Sequence, residues 1–204
     1  MGSAGLHFHS GDETLVAVVI GAVLATAGGF LATQLETFVR RRERERGAAL
    51  LFGEILSVLQ LITRLANESR GRGEPYGRLT MRLLRAVRRE TDTYDRNREA
   101  LYDLRDASTR ARIHTLMVRV TLALDGVADS TAQIAAAQDQ ANRLAPDDPA
   151  LDEARAWVAT LMSEREAAFD FAVETVAQVE PIISILRPLA KETFAAHASV
   201  APDA

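Results

Sequence analysis

Few residues in this chain could do acid–base, nucleophilic or metal chemistry, and their spacing assembles no site. The 204 residues contain four histidines and no cysteine. Without a thiol there is no disulfide, no thiolate metal site and no cysteine nucleophile. His7 and His9 flank Phe8 near the amino terminus, and two imidazoles on a short tail are too few for a tetrahedral metal site. His114 follows Ile113 in an amphipathic run, where a partly buried and hydrogen-bonded role is expected, and His197 falls in the tail. No Glu has a His three residues on, which removes the paired-carboxylate metal site of helical bundles. Phosphate-cradling patterns such as G-x-x-x-x-G-K-[ST] and G-x-G-x-x-G do not occur, and neither do H-E-x-x-H or G-x-S-x-G. The expectation is a non-catalytic protein with no cofactor and no metal, and no motif is specific enough to name a family.

Arginine carries the remaining chemistry. Of the 24 basic residues only Lys191 is a lysine. Arg78, Arg82, Arg85 and Arg89 stand at i, i+4, i+7 and i+11, which puts four guanidinium groups on one face of a helix. Such a face reads phosphates or carboxylates. Nucleic acid is not expected, because no aromatic residues interleave with the arginines and the net charge is −4. Carboxylates fit better. Glu166, Asp170 and Glu174 form a second stripe at i, i+4 and i+8. In a square bundle these two stripes lie on diagonal helices, so they are expected to meet between two copies or to meet a partner. Each exposed pair contributes only about 0–1 kcal/mol, so such charges choose a partner without holding the fold together.

The elements that must position this face begin with a charge-free run. Residues 14–33 read TLVAVVIGAVLATAGGFLAT. Twenty helical residues span about 30 Å, the hydrocarbon thickness of a bilayer. A transmembrane helix is expected over 14–35. A secretory signal would need a positive region before it, yet the first basic residue is Arg40. Arg40, Arg41, Arg42, Arg44 and Arg46 follow the run and predict the positive-inside orientation. Residues 1–13 are then a short outer tail and the rest is cytoplasmic, in an inner (plasma) membrane. Ala17, Gly21, Ala25 and Gly29, with Thr33, recur every fourth residue and form a ridge of small side chains suited to helix–helix contact in lipid.

Composition supports a folded domain behind this anchor: 48% hydrophobic and 25% charged is too apolar for a disordered chain and too polar for a polytopic membrane protein. Residues 36–47 read as a charged neck, with Arg41–Glu45 and Glu43–Arg46 spaced for helical ion pairs. Residues 48–196 show helical periodicity and no convincing strand. Gly71 to Pro75 breaks the first run, Ser108 is a candidate cap for a third helix, and Asp148-Pro149 starts a fourth that Pro181 should kink. The predicted fold is all-α, an antiparallel bundle of about four helices with coiled-coil-like packing, followed by a flexible tail at 197–204. The expected role is an oligomerising scaffold or recruiting module, with a homo-oligomer or another membrane subunit and the lipid bilayer as partners. The alternatives are an accessory or regulatory subunit of a larger membrane complex, or a membrane-tethered signalling protein.

Overall fold

The computed structural model describes residues 10–73, 75–192 and 194, with side chains from residue 18 onward. His7, His9, His197, the Ala17 side chain and most of both tails lie outside the described residues. Helix α1 runs Ser10–Gly71, α2 Arg78–Arg96, α3 Ala107–Ala141, α4 Ala150–Val176 and α5 Val179–Ala190, with a short 3-10 helix at Arg98–Asp103. Among the described residues there is no strand, so the all-helical expectation holds. Two units divide at Met1–Glu43 and Arg44–Ala204.

The first unit contains the amino-terminal part of α1. Every described side chain from Val18 to Glu43 is exposed. An 18-residue window of this stretch has a mean hydropathy of 1.8, and none of it is buried. The helix is long and apolar enough to cross a membrane. Its hydroxyls need no water: Thr26 donates to the Ala22 carbonyl (2.8 Å), Thr33 to that of Gly29 (2.9 Å) and Thr37 to that of Thr33 (2.8 Å). Glu36 and Arg40 pair one turn apart at 2.6 Å.

The second unit is a bundle whose directions follow from its contacts. Arg46 of α1 donates to the Ala190 carbonyl at the end of α5, while Arg70 in the last turn of α1 meets Glu166 in the middle of α4. Hence α4 and α5 run antiparallel to α1. Thr80 bonds to Ser69 and Phe52 packs on Tyr94, so α2 returns along α1. Tyr94 meets His114 and Arg88 meets Asp125, so α3 reverses again. One core joins all of them, with Phe52, Leu56 and Leu59 from α1, Val87 from α2, Ile113, Met117 and Val120 from α3, Phe169 from α4, and Ile183 and Leu186 from α5. Fully burying such a side chain stabilises by about 1.5–3 kcal/mol. Ile134, Ala137 and Leu161 form a second small core between α3 and α4 alone.

Local chemistry explains the boundaries. Asp106 caps α3, its carboxylate accepting from the Ser108 and Thr109 amides and from the Thr109 hydroxyl. The cap therefore sits two residues before the expected Ser108. The hydrogen bonds from Thr109 and the backbone hold the Asp106 carboxyl below its usual range. Asp148 accepts from the Ala150 amide at 2.9 Å and opens α4, as Asp148-Pro149 predicts. The kink expected at Pro181 falls at Ala177–Gln178 instead. Proline cannot donate to the carbonyl four residues back, and its ring crowds that carbonyl, which belongs to Ala177. The apolar α5 then closes the core with Val179, Ile182, Ile183, Leu186 and Ala190.

Two neck residues pair across the bundle. Glu45 takes Arg105, with Oε2 at 3.2 Å from Nε and Oε1 accepting from the Arg105 amide, and Arg46 takes Glu192 at 3.0 Å. Gly53 leaves room for the Phe194 ring, because a Cβ on Gly53 would overlap the Cζ end of that ring.

Candidate interaction surface

Helix α2 has one buried face and one bare face. Thr80, Leu84, Val87, Thr91 and Tyr94 turn into the core. Arg78, Arg82, Arg85 and Arg89 lie opposite, all exposed, as the i, i+4, i+7, i+11 spacing requires. None of the four guanidinium groups makes a hydrogen bond or ion pair among the described residues, although the Arg89 carbonyl accepts from the Thr93 hydroxyl at 2.9 Å. Residues 78–89 hold five arginines and no carboxylate, and the helix's own acidic residues, Glu90, Asp92 and Asp95, all follow the stripe. The fifth, Arg88, faces sideways and pairs with Asp125 of α3 and, at 3.5 Å, with Asp92.

The acidic stripe does not meet the crest within the chain. Glu166 and Asp170 pair with Arg70 of α1, at 3.0 Å from Nη1 and 2.7 Å from Nη2. Glu174 is exposed and without a partner among the described residues. Arg70 also donates to Asn67 Oδ1 at 3.2 Å, and its guanidinium carbon lies 4.3 Å from the Phe169 ring centroid. Burial opposes the Arg70 charge, but the hydrogen bond to Asp170, the Tyr76 phenol and the two carboxylates outweigh it, so the group is held above its ordinary range. Next to it, Tyr76 lies edge-on to Phe169 and beneath the Arg165 guanidinium, 3.7 Å from centroid to Arg165 carbon. Burial, with the Glu166 charge added, pushes the Tyr76 phenol up to about 12. This cluster locks the α1–α2 turn onto α4.

Sequence reasoning did not single out Arg70. Its signal was a basic residue in the last turn of a helix, three residues beyond an Asn, which reads as ordinary end-of-helix complementarity. His114 makes the hydrogen-bonded contact expected of it, its Nδ1 2.8 Å from the Tyr94 hydroxyl.

Between the crest and α1 lies a groove of about 510 Å³. Leu65 and Glu68 of α1 form one wall, Leu79 and Leu83 of α2 the other, and Arg72 and Arg78 stand at its rim. Leu79 is 59% exposed and Leu65 41%, unusual for leucines beside a bundle core.

In the first unit the small-residue ridge is uncovered. A Cβ added at Gly21 or Gly29 would meet nothing within 4 Å, and Ala25 is exposed. Arg40, Arg41 and Arg42 are exposed there, and Arg44 and Arg46 open the second unit. Among the described residues no group of three His, Asp or Glu is placed to hold a metal. No protein-family model matches this chain, and no curated protein or solved structure matches it.

Proposed function

We propose that this chain is a single-pass membrane protein whose cytoplasmic bundle recruits a partner through the arginine crest of α2. The observation that carries the reading is the contrast among arginines. Arg46, Arg70, Arg88 and Arg105 each have a carboxylate within the chain, whereas Arg78, Arg82, Arg85 and Arg89 have none among the described residues. A face with four like charges and no counter-charge repels itself, and an acidic partner relieves that repulsion. The anchor rests on the apolar exposed helix with its self-satisfied hydroxyls, since a lipid core requires every polar group to bond internally. The arginine run at 40–46 supports an N-out, C-in orientation in the inner membrane. The bare ridge at Gly21, Ala25 and Gly29 supports pairing of two copies in the bilayer. The proposed role is non-catalytic, that of an oligomerising scaffold.

The absence of native cysteine makes the test clean. In intact cells a membrane-impermeant maleimide should label Ser3→Cys, and should reach Ser163→Cys only after permeabilisation. Oxidation should link Ala25→Cys chains into dimers. Recovery of the chain in the soluble fraction defeats the anchor, and a strictly monomeric product with both Ala25→Cys and Arg85→Cys defeats the scaffold.

A further inference from the structure

We infer that the crest and the adjoining groove form a single docking site, and that its ligand is an acidic amphipathic helix lying along α2. The inference deepens the recruiting role proposed above and rests on it. The four crest arginines are spread over twelve residues, about 16 Å of helix. Beside them, on the α1 side, the groove exposes Leu65 and Leu79 and half-exposes Leu83. Charge and apolar surface therefore adjoin along the amino-terminal half of α2, where the groove extends to Leu83, and the crest continues to Arg89. A ligand complementary to both carries carboxylates along one edge and apolar side chains along the next. On a helix this means Glu or Asp at i, i+4, i+7 and i+11, with leucine-sized residues one position over. Recognition of this kind is helix-in-groove. The apolar contacts supply affinity, and the arginines supply selection and association rate.

The groove decides against other polyanions. A phosphate backbone has no apolar side chain for Leu65 and Leu79, and the crest has no exposed aromatic on which a base could stack. The headgroup phosphates of anionic lipid likewise bring no apolar side chain to Leu65 and Leu79, and vesicles test that source directly.

The test uses the full chain in detergent and a fluorescent 16-residue helical peptide with glutamates at i, i+4, i+7 and i+11 and leucines on the adjacent face. Controls are the same peptide with alanines for the leucines, a 16-nucleotide oligothymidylate, and phosphatidylglycerol vesicles. The leucine peptide should bind at least tenfold more tightly than the alanine peptide and the oligonucleotide. Arg82→Glu/Arg85→Glu and, separately, Leu79→Asp should each weaken it at least tenfold, with unchanged helical circular dichroism. Equal binding of the two peptides, preference for oligonucleotide or vesicles, or no saturation with any probe overturns the inference. If Leu79→Asp has no effect while the arginine reversal abolishes binding, the groove is wrong and the recruiting crest stands. If the reversal also has no effect, both fall.

Discussion

Arg70 and the crest of α2 show the same side chain in two settings. Arg70 is 21% exposed, held by Glu166, Asp170 and Asn67, and stacked on Phe169. Arg82 and Arg85, close by in sequence, point to solvent with nothing to meet. A bundle that can satisfy an arginine this completely at the end of α1 has no structural use for four unsatisfied ones on α2. The locked arginines are part of the fold, and under the proposed function the bare ones meet a partner. Substitutions should separate the two groups.

The largest effect should come from the packed side. Gly53→Val drives a side chain into the Phe194 ring, and overpacking of this kind costs about 1–3 kcal/mol. Thermal unfolding should show the loss. Combining it with Phe194→Ala should recover part of that loss, and simple additivity would mean that the ring is not what Gly53 accommodates. Next comes Arg70→Ala, which strands Glu166 and Asp170 one turn apart. Because both carboxylates are about half exposed, the expected cost is about 1–2 kcal/mol, discounted for solvent screening.

A separate, pH-dependent effect belongs to the phenols. Burial pushes Tyr76 and Tyr94 each up to about 12 from 10.0. Since the folded state holds these protons more tightly, their stabilising contribution is complete below pH 10. It is lost between pH 10 and 12, as the unfolded chain ionises first. Unfolding midpoints should fall across that window, and the decline should flatten in Tyr94→Phe and Tyr76→Phe. An unchanged slope in both variants would contradict the assignment. The smallest effect on stability should come from the crest: Gln at 78, 82, 85 and 89 together should leave it within about 0.5 kcal/mol per site, and relief of repulsion should favour the fold slightly.

Much of this was legible in the sequence. The breaker at Gly71–Pro75 and the Asp148-Pro149 start depend on local chemistry, and each marks a helix boundary, while the charge-free run at 14–33 lies within the long helix α1. The crest was legible because helical spacing alone puts Arg78, Arg82, Arg85 and Arg89 on one face. What was hidden needed tertiary neighbours. Glu45 and Arg46 read as neck charges for their own helix, yet they reach Arg105 and Glu192 from distant elements. Glu166 and Asp170 read as a face for a partner, and Arg70 has taken them. Gly53 is the close-approach site for Phe194, a contact between residues far apart in the chain. The α4–α5 break lies four residues before Pro181, because the lost hydrogen bond belongs to the carbonyl of Ala177.

The central claim is that the crest recruits a partner and does not support the fold. The direct measurement is mild-detergent purification of full-length protein and of its Arg82→Glu/Arg85→Glu variant, with quantitative mass spectrometry of bound proteins and a thermal melt on the same samples. The account predicts a superimposable melt and loss of at least one partner by tenfold or more. A destabilised variant, or an unchanged set of bound proteins, would contradict it.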